Sequence, residues 1–140
     1  MYLEFLPDGS IDCPLLIFSP SVPKETEQLY QALHDMVSVS GTSVDIHALP
    51  FISSVDGCKL SAQVVEQNLG VVLLNTLGVV LSDIKNHFTW KLTRQSWKKV
   101  LDLLHPFTLQ DCHDDRYTRH QWLDETSNIS VLISTGHRRW

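Results

Sequence analysis

The chain has 140 residues, 43% of them hydrophobic and 19% charged, and a formal net charge of −5. That length suits one domain spanning residues 1–140, able to bury roughly two-thirds of its unfolded surface without a disulfide or metal. The composition indicates neither disorder nor low complexity.

The charge is unevenly spread. Residues 1–84 hold two basic and ten acidic side chains, whereas residues 85–140 hold nine basic and six acidic ones. Such asymmetry can mark a nucleic-acid or acidic-partner surface. No basic run exceeds two residues, so the ordinary explanation is that the halves interleave and attract each other. Cys13, Cys58 and Cys112 are far apart and form no CxxC pair, which argues against a disulfide framework and for a reducing compartment. The N-terminal MYLEFLPDGS has no basic region, and the apolar run Leu69 to Leu81 is too short to cross a bilayer. These features predict a soluble, cytoplasmic protein.

In chain order, Tyr2 to Leu6 reads as a strand, and Pro7-Asp8-Gly9-Ser10 as a turn in which proline presets φ. Leu15 to Phe18 is continuously apolar, the mark of a strand buried on both faces. Pro23 suits the first position of a helix whose stripe is Leu29, Leu33, Met36 and Val37, with Gly41 as a stop. Val44, Ile46 and Ala48 alternate with Asp45 and His47 as a third strand. After the turn signal Asp56-Gly57, Cys58, Leu60, Ala62 and Val64 alternate with Lys59, Ser61 and Gln63, predicting a hairpin with the third strand. Leu69-Gly70-Val71-Val72-Leu73 is echoed at Leu77-Gly78-Val79-Val80-Leu81, as two strands or one bulged strand.

The sharpest stretch is His87 to Phe107. Phe88, Trp90 and Leu92 alternate with Thr89 and Lys91 as a half-buried strand. Thr93 can cap the next helix, and Trp97, Val100, Leu101 and Leu104 form its apolar stripe until Pro106 stops it. Trp90 and Trp97 are expected in the core. A polar loop from Gln110 to Arg116 follows, and then two closing strands around His120–Leu123 and Ile129–Ile133. The expected fold is α+β: a mainly antiparallel sheet of six to eight strands with two helices packed on one face.

Two clusters carry chemical potential. Asp45, His47, Lys59, Ser61 and Lys91, with Gln63 and Thr89, share the parity that turns away from the helices. Acid, imidazole, amine and hydroxyl groups there can build a binding face, although a wetted sheet face is polar in any case. Asp111, Cys112, His113 and Asp115, with His120 nearby, are the densest set of metal-ligating types. Adjacent residues point in different directions, however, and the spacing matches no zinc or calcium motif. No phosphate loop, dinucleotide fingerprint, HExxH or nucleophile elbow occurs. His137-Arg138-Arg139-Trp140 could contact an acidic partner, but a short tail is more simply a chain terminus.

Leu6-Pro7-Asp8-Gly9-Ser10 with Asp12-Cys13-Pro14-Leu15 resembles the start of a group of small uncharacterised bacterial proteins. His47 with Leu49-Pro50, Gly57-Cys58-Lys59-Leu60, Gln121-Trp122-Leu123 and Trp140 are similar too, so the resemblance covers about a third of the chain. It implies a bacterial source and carries no activity, cofactor or site. The reading that follows is a non-catalytic binding or interaction protein without a cofactor, taking a protein partner or small ligand, with a homodimer among the options. The alternative is a small metal-assisted, hydrolase-like enzyme using the 111–120 loop. Nucleic-acid binding by the basic C-terminal part ranks third.

Overall fold

The structure is a computed structural model that describes residues 1–9, 11–39, 43–65, 77–81, 84, 86–109, 119–125 and 128–135. Among the described residues there are two sheets and two helices. The first sheet contains β1 (Tyr2–Leu6), β2 (Leu15–Ser19), β4 (Ser53–Ser54), β8 (Arg119–Asp124) and β9 (Ser130–Thr135), in the order β4-β1-β2-β9-β8. The second contains β3 (Ser43–Asp45), β5 (Lys59–Val65), β6 (Gly78–Leu81) and β7 (His87–Thr93), in the order β3-β5-β7-β6. The helices are α1 (Pro23–Ser38) and α2 (Arg94–Leu104).

The α+β class holds, but the expected sheet is corrected. The described residues form two sheets, not one, and both are mixed. β1–β2, β3–β5, β6–β7 and β8–β9 pair antiparallel, whereas β1–β4, β2–β9 and β5–β7 pair parallel. The described strands number nine, close to the expected about six to eight. Alternation reports which face of a strand is buried, and it is silent on direction and partner. That is why elements were legible and their pairing was not.

β7 shows how the core is joined. Its alternate residues Phe88, Trp90 and Leu92 are all buried. Phe88 packs on Phe5 of β1 at 4.6 Å between ring centroids. Trp90 meets Phe18 of β2 at 6.5 Å and Trp97 of α2 at 4.7 Å. One strand face therefore touches both the opposite sheet and a helix. Leu29 and Leu33 of α1 and Leu101 and Leu104 of α2 belong to the same apolar cluster. β2 is buried on both faces, as its unbroken apolar run predicts: Leu16 and Phe18 join the main core, and Leu15 and Ile17 form a smaller cluster with Leu132.

Local chemistry explains the helix ends. The Thr93 hydroxyl accepts from the Ser96 N–H at 3.3 Å, so α2 starts where the cap allows. Its last turn tightens into a 3-10 turn at His105–Thr108, around Pro106. α1 has Val22 at its N-cap, which offers no side-chain acceptor. Glu25 compensates by accepting from the Ser21 N–H at 2.7 Å and from the Met1 ammonium, which also donates to the Phe51 carbonyl at 2.9 Å. The proposed stop at Gly41 lies outside the described residues; α1 ends at Ser38.

Candidate functional site

The outer face of the four-stranded sheet collects most of the residues that parity singles out. Register places Asp45 opposite Ser61 and Ser61 opposite Thr89, in one row across three strands. Lys59 pairs with His87, one row to one side, and Gln63 pairs with Lys91, one row to the other. Rows on one face are spaced about 6.6 Å apart, so Lys59 and Lys91 flank the central row rather than meeting. The Ser61 hydroxyl donates to Asp45 Oδ1 at 2.7 Å. Asp45 and Ser61 thus pair with each other within the row.

His47 lies beyond the end of β3. The chain turns there into a 3-10 turn at Ile46–Ala48, which buries Ile46. The His47 Nδ1 lies 3.2 Å from both the backbone nitrogen and the carbonyl oxygen of Leu60. The imidazole takes the place of the β3 backbone that has turned away. It acts as a bracket on β5, not as a member of the Asp45–Ser61 row.

Of the metal-ligating types, Asp111, Cys112, His113 and Asp115 lie outside the described residues. His120 is an exposed residue of β8, with its Nδ1 3.4 Å from the Ser134 hydroxyl. Among the described residues, no group of three or more His, Cys, Asp or Glu side chains is placed to hold a metal ion.

A concavity lies elsewhere. A cavity of about 380 Å³ opens where the ends of the two sheets meet, lined by Phe5, Pro7, Val55, Asp56, Cys58, Leu81, Asn86 and Phe88. Its volume falls in the range of about 300–1,000 Å³ typical of small-molecule sites. Phe88 and Cys58 are buried, whereas Leu81 is 55% exposed, an apolar side chain presented to water. Polar groups come from two turns. The 3-10 turn Val55–Gly57 carries Asp56 at φ +55° and Gly57 at φ +70°. Asn86, at φ +63°, sits just before β7. Asn and Asp tolerate this left-handed region best among residues with a Cβ, so each turn uses a residue suited to it. The two turns are tied together: the Asn86 side-chain amide donates to the Asp56 carbonyl at 3.5 Å, and the Lys59 N–H donates to the Asn86 carbonyl at 2.8 Å.

Burial pushes the Cys58 thiol up to about 11, and its Sγ lies 3.5 Å from the Leu3 carbonyl oxygen. A protonated thiol is a poor nucleophile, and no histidine is among the lining residues. The described lining is mostly apolar, with Asp56 and Asn86 as its polar side chains. Sequence parity had assigned Phe88 and Cys58 to the core and Asp56 to a turn. Leu81 was legible only as the end of a strand, and Val55 and Asn86 carry no sequence signal, because the cavity exists only once β1 is docked across the second sheet. No protein-family model, curated protein or solved structure matches this chain.

Proposed function

We propose that the protein is a non-catalytic binding protein that receives a small, largely apolar ligand in the cavity between its two sheets. The carrying observation is the set of apolar walls, Phe5, Val55, Cys58, Leu81 and Phe88, with Asp56 and Asn86 as the polar groups among them. Apolar walls supply affinity by burial, and a few fixed polar groups orient the ligand. The free thiol Cys58 supports a reducing, cytoplasmic setting.

The test is titration with N-phenyl-1-naphthylamine, a neutral apolar fluorophore. Native protein is expected to give a saturable fluorescence increase. Leu81→Asp, at an exposed position that should leave the fold intact, is expected to weaken it about tenfold or more. Unsaturable binding, or equal affinity in the variant, would overturn the assignment.

A second reading places a protein partner, including a second copy of this chain, on the outer sheet face. It is favoured by Lys59 and Lys91, neither of which has an ion-pair partner among the described residues. Sedimentation velocity of the native chain and of a Lys59→Ala/Lys91→Ala variant tests self-association: a dimer lost in the variant supports it, and a monomer in both rejects the second copy.

A further inference from the structure

The inter-sheet cavity carries a charge signature besides its apolar walls. Asp56 is acidic, and none of the described lining residues is a lysine, arginine or histidine. Lys59, next in the chain after Cys58, is exposed on the outer face of β5 instead. The Asp56 carboxylate has no ion-pair partner among the described residues. Its backbone is held at φ +55°, in the turn tied to Asn86. The same tie orients the Asn86 amide. Its nitrogen donates to the Asp56 carbonyl, which leaves Oδ1 as an acceptor with no partner among the described residues. The aromatic wall adds to this. Phe5 and Phe88 lie 4.6 Å apart between ring centroids at 44°, and an aromatic face carries negative charge that attracts a cation. The Cys58 thiol feels the same field. Burial is the main cause that pushes it up, and the Glu4 and Asp56 carboxylates add to the rise against a hydrogen bond from the Phe5 backbone.

We infer, resting on the ligand-binding reading of this cavity, that its ligand is an organic ammonium ion: an apolar or aromatic body carrying one primary amine. The body displaces water from Phe5, Val55, Leu81 and Phe88. The ammonium has three donors and no acceptor, and it donates to the Asp56 carboxylate and to Asn86 Oδ1 by charge-assisted hydrogen bonds. A neutral molecule of the same shape forgoes the charge. An anion of that shape meets a carboxylate with no cation beside it among the described lining residues.

The test is isothermal titration calorimetry at neutral pH and low salt with 1-naphthylmethylamine, 1-naphthylmethanol and 1-naphthoate, which share one ring system and differ in charge. The amine is expected to bind about tenfold tighter or more than the alcohol, and the alcohol tighter than the carboxylate. Asp56→Asn removes the charge at an exposed position and keeps a residue suited to φ +55°. It should bring the amine to within about twofold of the alcohol and leave the alcohol unchanged. Backbone amide NMR with the amine should show saturable shifts at Val55, Asn86 and Phe88. Leu81→Asp should weaken the amine less than the alcohol, because the added carboxylate favours the cation. Equal binding of amine and alcohol to the native protein, or an amine preference that survives in Asp56→Asn, would overturn the ammonium assignment and leave the apolar cavity standing. Absence of saturable binding by all the probes would remove the ligand-binding reading and this inference with it.

Discussion

The Trp90 indole N–H donates to Asp124 Oδ2 at 2.7 Å, and both residues are buried. Trp90 belongs to β7 of the second sheet and Asp124 to the end of β8 in the first, so this polar bond crosses between sheets inside an apolar core. The register of β8 on β9 shifts between Trp122 and Asp124, an irregularity that re-aims the chain just where the carboxylate is needed. Asp124→Ala leaves a fully buried indole N–H without this acceptor, at a cost of about 1–3 kcal/mol. Asp124→Asn retains an acceptor oxygen and should lose less. Urea denaturation of the three proteins checks the order; a change below about 0.5 kcal/mol in the alanine variant would show that the bond does not contribute.

The two helix starts form a natural contrast. Thr93 caps α2, whereas Val22 at the same position of α1 has extended backbone angles, φ −140° and ψ 155°, but no acceptor. Thr93→Ala should lower stability by about 1 kcal/mol, and Val22→Ser should raise it by several tenths to about 1 kcal/mol. Val22 is half exposed, so its removal costs little burial. Opposite shifts in the thermal midpoint are expected. A destabilised Val22→Ser protein would mean that the isopropyl group packs more than its exposure suggests.

Much of this fold was legible because its local signals are strong and agree with each other. His87 to Phe107 reads as strand, cap, helix and stop, and each part is found where the pattern places it, with Trp90 and Trp97 fully buried. The hairpin of β3 with β5 was legible as an antiparallel pair, but not the insertion of β4, which leaves to pair with β1 in the other sheet. Parallel pairing of β5 with β7 and of β2 with β9 was invisible for the same reason: it depends on distant chain segments meeting, and a strand's own residues record only which of its faces is buried. The Asp45–Ser61 row was legible from parity. The inter-sheet cavity was not, since Phe5 and Phe88 are 83 positions apart in the chain.

Glu25 gives the stability a pH dependence of definite sign. Burial pushes its carboxyl up, but hydrogen bonds from the Met1 ammonium and the Ser21 N–H, the ammonium charge and the Val22 backbone outweigh it, and the pKa lies below the ordinary 4.5. A carboxylate with a depressed folded pKa stabilises fully above its unfolded value, and the contribution fades as the pH falls through the folded one. Glu25→Gln should therefore be less stable than the native protein at neutral pH, with the gap closing below pH 4.5. Urea midpoints for both proteins across this range test it. A constant gap down to about pH 3 would mean that packing, not charge, is responsible.

Cys58 links the core to the inter-sheet cavity. Its thiol is 2% exposed and pushed up to about 11, chiefly by burial. In a Cys13→Ser/Cys112→Ser variant, Cys58 is the remaining thiol, since the chain has three cysteines. At pH 8 its alkylation by iodoacetamide should be on the order of a hundredfold slower than that of an ordinary thiol, because the thiolate is the reacting species. The rate should climb as the pH approaches 11. Saturating N-phenyl-1-naphthylamine should slow it further, since the ligand would lie against the wall that Cys58 helps to form. Slow alkylation that the fluorophore leaves unchanged would keep the buried thiol and remove the ligand from this cavity. Alkylation at the rate of a free thiol would show that the core opens here more readily than its packing implies.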